Sequence, residues 1–411
     1  MATQAGALKH AISAAVDGLA AELEALSHRI HGHPELGYRE VQAAGWLAEF
    51  LGAQGFKVDL GVGGVDTAFR ATIEAGGAGE AGGAGEAGGA GETGAGPTVA
   101  ILCEYDALPG IGHACGHNVI ATSGAGAGAA LAAVRDALPP GRIQVIGTPA
   151  EEGGGGKIRL IKAGVFKDVD CAMMIHGFDR TLVHQDLLGI VRASFEFTGK
   201  ASHAAADPWE GRNALDACVQ TYTAVSMLRQ QVRPECRIHG IITNGGAAPN
   251  IIPEQAAATF YVRAPRIDLM WETYARVRAC AEGAAKSTGT ALKVVEHSDT
   301  IYEPMKRNQT LLDLFAGNMG PVGLVEGDPI PDRLGSSDVG NVSQVLPTIQ
   351  PMIGIAPVGT AIHTRDFAAA AVQPLARQGM LAAAKAMAMT AVDLLAEPAH
   401  VAAAKAEFAR R

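Results

Sequence analysis

Continuous apolar runs punctuate the first half of the chain: TVAILC (98–103), IQVIGT (143–148) and CAMMI (171–175). A fourth, IQPMIGI (349–355), comes late. Runs of this length without polar alternation predict strands buried on both faces of a parallel sheet. Each run leads into residues that can bind metal. The first is followed by Glu104, Asp106, Cys115 and His117, the second by Glu151 and Glu152, the third at once by His176, and the fourth, after a short loop, by His363. Ligands of open α/β sheets bind outside the carboxyl ends of the strands. The pattern therefore predicts several strand ends feeding one site.

Between about 188 and 303 the periodicity changes. IVRASFEFTG, RIHGIITN, AAATFYVRA and ALKVVEH read as strands. GRNALDACVQTYTAVSMLRQQV and LMWETYARVRACAEGAAKSTG read as helices, the second with a glycine stop. The order β-α-β-β-α-β is the ferredoxin-like one. It predicts a small α+β domain (188–303) inserted into a larger α/β domain made of 1–187 and 304–411, whose last long helix covers about 372–396. A threefold AGGAGE repeat fills 75–92. It lacks the apolar surface needed to order itself, and 75–96 is expected to be a flexible surface loop.

A chain of 411 residues suits two domains. The net charge of −9 includes three glutamates of the repeat, so the remainder is only mildly acidic. Without clustered Lys and Arg, nucleic acid is not an expected partner. The six cysteines form no CxxC pair and imply reduced thiols in a cytoplasm. No apolar run approaches the ~20 residues of a membrane span. The amphipathic, acid-containing N-terminus does not read as a signal peptide.

Cys115, His117, Glu152, His176 and His363 supply thiolate, imidazole and carboxylate, the donor types of zinc and similar ions. Five donors exceed one tetrahedral site, which points to two metals sharing a ligand. Asp106 can accept the second ring N–H of His117 and fix its tautomer. Any one of these histidines taken alone is better read as a satisfied core residue, and Cys115 alone as a small hydrophobe; the set at the strand ends is not. The adjacent Glu151 and Glu152 point different ways, so one can bind metal while the other acts as general base; both can equally cap a helix start. GGGGK fails as a phosphate loop, because Glu151 occupies its first glycine position and Ile158 follows Lys157. His203, in a loop of small residues, reads equally as a cleft-reaching or a surface histidine. Asn250 and Arg263 can hold a substrate carboxylate or be a turn and a surface residue. HRIHGHPELGYRE (28–40) reads as a structural helix-to-helix connection, and His28, His31 and His33 are not expected to be ligands.

The motifs HPELGYRE, EYDALPGIGHACGHN, PAEEGGGG, IHG, ASHAA, PNIIPE and GTAIHT together resemble the aminoacylase/carboxypeptidase family of dinuclear metallohydrolases. The similarity lies with its amidohydrolase branch of aminoacylase-1-like, p-aminobenzoyl-glutamate hydrolase and indole-acetyl-amino-acid hydrolase proteins, and covers nearly the whole chain outside 75–96. The resemblance implies a mixed-sheet, zinc-exopeptidase-like catalytic domain whose inserted domain serves as lid and dimerisation surface. It implies two divalent ions, zinc or manganese with cobalt as a substitute in vitro, held by Cys115 as the bridging ligand and by His117, Glu152, His176 and His363. It makes Glu151 the general base, His203 the residue that polarises the substrate carbonyl, Asp106 the orienter of a ligand histidine, and Asn250 and Arg263 the carboxylate binders. The implied reaction is hydrolysis of the amide bond of a small N-acyl amino acid, dipeptide or aminobenzoyl-glutamate conjugate. Two positions depart from the pattern: Glu104 stands where other branches place a metal-binding His, and Asn118 where many relatives have Asp.

Two rival readings are a cysteine-nucleophile hydrolase built on Cys115 and His117, and a metal-binding homologue without activity. The abundance of carboxylate and imidazole argues against the first, the intact Glu151 against the second.

Overall fold

The computed structural model of the chain describes residues 2–76, 96–331 and 334–410. Residues 77–95, which include most of the AGGAGE repeat, lie outside the described residues, and with them the expectation of a flexible loop there. Two compact units emerge, Met1–Gln185 with Lys306–Arg333 and Asn341–Arg411, and Asp186–Met305 with Leu334–Gly340. This division departs from the sequence-based one at 186–187, 304–305 and 334–340, which belong to the second unit. In the last of these, Gly335 O accepts the Leu188 N–H at 2.8 Å.

The first unit opens with three helices, α1 (Ala2–Gly18), α2 (Ala20–Gly32) and α3 (Val41–Ala53), then strands β1 (Lys57–Leu60), β2 (Phe69–Ala75) and β3 (Thr98–Cys103). Next come α4 (His117–Ala133), β4 (Gly141–Gly147), α5 (Gly156–Lys162), β5 (Cys171–Met173) and β6 (His176–Phe178). The six-stranded sheet has the order β1-β2-β4-β3-β5-β11, the last being Thr348–Ile349. β3 pairs in parallel with β4 and β5, and β5 with β11, while β1 and β2 run antiparallel at one edge. Every residue of β3 is buried, as its unbroken apolar run requires.

The expected single strand at 349–355 is two. After β11, Gln350 and Pro351 interrupt the run, and Met352–Gly354 (β12) pairs with β6 in a separate two-stranded sheet. Proline has no N–H to donate to a ladder, so the strand changes partner there. His176 is accordingly the first residue of β6 and not a loop residue after β5.

The second unit holds β7 (Gly189–Thr198), α6 (Ala214–Leu228), β8 (Arg237–Asn244), β9 (Gln255–Ala264), α7 (Ile267–Thr288) and β10 (Ala291–Glu296). Its antiparallel sheet has the order β10-β7-β9-β8, so β8 is an edge. The inward residues of β7 and β9, Phe195, Phe197, Phe260 and Val262, form one core with Met270, Tyr274 and Val277 of α7 and Ala217 and Val225 of α6. Asn213 caps α6 through its side-chain oxygen, and Gly289, at φ 65°, ends α7.

The remaining helices are α8 (Gln309–Met319), α9 (Val339–Val345), α10 (Arg365–Ala370), α11 (Pro374–Ala396) and α12 (Pro398–Arg410). α11 packs on α4, α1 and α8. By length and composition α11 meets the requirement for crossing a bilayer, although Arg377, Lys385 and Asp393 interrupt its apolar run. Burial of 78% of its most apolar window within the unit makes it a core helix. α4 is buried along almost its whole length. Its small residues permit this: a Cβ on Gly124 would lie 2.5 Å from Cys103 Sγ, so only glycine lets the helix sit this close to β3.

Candidate metal centre

Five of the predicted donors, with Glu151 and Asp106, come together in the first unit. The loop after β3 brings Cys115 to the start of α4, where His117 is the first helical residue. Gly116 makes the turn between them at φ 75°, and a Cβ there would meet Ile355 Cδ1 at 2.7 Å. Glu151 and Glu152 lie in the turn after β4. They are not in the first turn of α5, which contains no acid, so the helix-capping alternative does not hold. His363 precedes α10, and its backbone N–H donates to Ala114 O at 2.8 Å, tying it to the Cys115 loop.

The donor atoms face one another. Cys115 Sγ is 3.4 Å from His176 Nε2, and His363 Nε2 is 3.4 Å from Glu152 Oε1. Glu152 Oε1 is 4.0 Å and Glu151 Oε2 3.9 Å from His117 Nε2. Within each of the triads Cys115–His117–His176 and Cys115–Glu152–His363, the donor atoms all lie within 4.8 Å of one another, with Cys115 shared.

Backbone carbonyls decide the tautomers. His117 Nδ1 is 2.8 Å from Asp106 O and 3.1 Å from Asp106 Oδ1. A carbonyl can only accept, so Nδ1 carries the proton and the lone pair of the neutral ring is on Nε2. His176 Nδ1 is likewise 2.8 Å from Gly177 O, which leaves its Nε2 facing Cys115. Asp106 also accepts from the Glu152 N–H at 2.9 Å, so one carboxylate orients both a histidine and the glutamate turn.

Burial pushes the His117 pKa down, but Asp106 and Cys115 outweigh it and hold the pKa well above the usual range. Burial raises Glu152, but His363 and His117 outweigh it and lower its pKa. Burial, with Glu152, drives the Cys115 thiol well above its ordinary value. A free thiol there has little nucleophilic character, because only the thiolate attacks.

The site fits divalent ions on its own evidence. His117 Nε2 and Glu152 Oε1 are buried and lack a hydrogen-bond partner. Such atoms are costly unless a cation receives them. Sulfur, imidazole and carboxylate are the donors such an ion takes.

Sequence reasoning missed the support of the glutamate turn. The Ala150 N–H donates to Glu40 Oε1 at 2.8 Å, and the Thr67 hydroxyl donates to Glu40 Oε2 at 3.0 Å. Tyr38 donates to Gly154 O at 2.6 Å. HPELGYRE is thus the mould of the Ala150–Gly154 turn, in keeping with its structural reading. Tyr38, Ala150 and His363 are the described non-glycine residues with positive φ, at 63°, 59° and 62°. Strained backbone of this kind persists only where the surroundings over-determine it.

The other predicted residues belong to the second unit. His203 bridges to Ile251, its Nδ1 accepts from the N–H groups of Ala205 and Ala206 at 3.2 and 3.1 Å, and the Ala204 N–H donates to Asn250 O at 3.0 Å. His203 and Asn250 therefore lie on neighbouring loops. Arg263, on β9, donates from Nη1 to Ser336 Oγ at 3.0 Å. Burial and the nearby Arg192 lower its pKa.

Comparison with known proteins gives one consistent picture. Residues 100–378 match the model of Peptidase family M20/M25/M40. The Xaa-Arg dipeptidase of Mus musculus is 38% identical over 98% of this chain and 92% of its own length. A p-aminobenzoyl-glutamate hydrolase polypeptide of Escherichia coli is 31% identical over 90% of this chain and 88% of its own length. A solved Bacillus subtilis structure, described as a dinuclear metal-binding peptidase of the M20 family, superposes with a TM-score of 0.68 at 20% identity, over 92% of this chain and 99% of that one.

Proposed function

The chain belongs to Peptidase family M20/M25/M40 and is a hydrolase of the peptidase and amidohydrolase type, and from that premise we propose that it cleaves the amide bond of small peptides or N-acyl amino acids bearing a free carboxylate. The observation that carries the reading is the convergence of Cys115, His117, Glu152, His176 and His363 around buried, unpartnered donor atoms, with Glu151 beside them. The similarity to Xaa-Arg dipeptidases makes dipeptides ending in arginine the first substrates to test.

We assign the two divalent ions, zinc or manganese, to the two triads that share Cys115. When bound, such ions polarise a carbonyl and bring the pKa of water towards ~7. Glu151 takes the proton of the attacking water and passes it to the leaving amine. His203 polarises the carbonyl oxygen from the second unit, a contribution of roughly 3–4 kcal/mol for a donor of this type. Asn250 as a neutral donor and Arg263 as a fork hold the substrate carboxylate. The second unit, ferredoxin-like in its strand order, acts as the lid. Its β8 edge, with Ile241 and Ile242 exposed, supports a homodimer through this unit. Six free cysteines support a reducing compartment, the cytoplasm.

The test is a hydrolysis screen of dipeptides, N-acyl amino acids and aminobenzoyl-glutamate with zinc, manganese or cobalt added. Turnover that persists after complete chelation would overturn the metal reading and favour a Cys115 nucleophile.

A further inference from the structure

A buried charge pair lies beside the site. Glu104, at the end of β3, and Lys157, in the first turn of α5, are both 0% exposed, and the Lys157 ammonium donates to Glu104 Oε1. Lysine is almost never fully buried unless paired. Its place does not serve the helix, since a cation in the first turn opposes the helix dipole.

The pair is nevertheless incomplete as a structural pair. Glu104 Oε2 is buried and has no hydrogen-bond partner. It lies 3.6 Å from His117 Nε2, which is also buried and also without one. A carboxylate that exists only to satisfy a buried lysine is stable when its second oxygen meets another donor. Here that oxygen is turned to the lone-pair nitrogen of a candidate ligand. Atoms of Glu104, His117 and Glu151 lie within 4.8 Å of one another, close enough to address one ion. His117 is also a member of the Cys115–His117–His176 triad, and its Nδ1 is committed to Asp106, which leaves Nε2 as its donor. One imidazole lone pair serves one ion, so Glu104 and that triad address the same one.

We propose that Glu104 Oε2 is a sixth protein donor, completing the ion held by Cys115, His117 and His176, and that Lys157 holds the other oxygen so that Oε2 faces the ion. This inference rests on the metal reading of the site. Lys157 also offsets one negative charge in a cluster that already contains Glu151, Glu152 and Asp106.

The test compares wild type, Glu104→Gln, Lys157→Met and the double variant Glu104→Gln/Lys157→Met. Zinc binding is measured in buffers of fixed free zinc, and the cobalt-substituted proteins are followed by visible absorption. The single and double variants that include Glu104→Gln should bind one of their two ions about 10- to 100-fold more weakly, with altered cobalt d–d bands. Lys157→Met keeps the carboxylate but loses what orients it, so it should bind that ion more weakly than wild type and more tightly than Glu104→Gln. If the pair were only structural, both single variants would weaken binding through the fold, and the double variant, with no unpaired charge, would recover wild-type affinity and spectrum. That recovery would overturn the assignment. Should Glu104→Gln fail to fold, the double variant alone decides. A wild type that takes up no ion would instead overturn the underlying metal reading.

Discussion

Glu40 Oε1 accepts the N–H of Ala150 at 2.8 Å, across 110 residues of sequence. Ala150 has φ 59° and immediately precedes Glu151 and Glu152. The proposed general base and a proposed metal donor thus hang from a strained residue that Glu40 holds in place. Glu40→Ala leaves the Ala150 N–H and the Thr67 hydroxyl without their acceptor in a buried site. The expected cost is about 1–3 kcal/mol in denaturant stability. A larger relative loss should appear in kcat than in KM, because the turn loosens where chemistry occurs. Unchanged kcat in a folded variant would remove Glu40 from this role.

Glu151→Gln keeps the size of the side chain and removes its basicity. Turnover should fall by at least about 10²- to 10⁴-fold, while metal content stays at the wild-type level. Chelation should abolish activity in the wild type, and zinc or manganese should restore it. Retained activity in the Gln variant would move the base elsewhere.

Cys115→Asp replaces the proposed shared thiolate donor with a carboxylate. Hard ions prefer oxygen and zinc accepts sulfur readily. Under equimolar competition the variant should shift its bound metal from zinc towards manganese. Elemental analysis of the purified protein reads this directly. An unchanged zinc-to-manganese ratio would mean that Cys115 does not set metal preference.

The strand ends were legible because each buried apolar run stops abruptly at polar donors, and little but a site makes residues such as Glu151, Glu152 and His176 converge at one sheet edge. The β-α-β-β-α-β run was legible for a similar local reason: its periods, helix cap and glycine stop lie within short windows. Glu40, Tyr38 and Lys157 were not legible, since their partners Ala150, Gly154 and Glu104 are distant in sequence. Lysine after four glycines looks like a solvated or phosphate-facing residue until tertiary structure buries it. The split of 348–354 turns on Pro351 alone, a residue whose strand-breaking effect an apolar run conceals.

β8 presents an unpaired edge among the described residues, with Ile241 65% and Ile242 39% exposed. Ile241→Lys or Ile242→Lys places a charge where a partner strand would lie. Sedimentation should show a dimeric wild type and a monomeric variant, with the second unit still folded by circular dichroism. A monomeric wild type would end the dimer proposal.

Burial and the Asp106 charge push the Glu40 carboxyl from 4.5 up to about 7. A raised pKa means that the folded state binds this proton more tightly than the unfolded chain does. The resulting stabilisation is complete below about pH 4.5 and is lost as pH rises through about 7. A shift of this size corresponds to roughly 3 kcal/mol. Glu40→Gln fixes the neutral form, so the stability difference, variant minus wild type, should move in favour of Gln by that order between pH 5 and pH 8, a window set by the same shift. Paired urea titrations across the range measure it. Parallel curves for the two proteins would show that Glu40 does not titrate between these values.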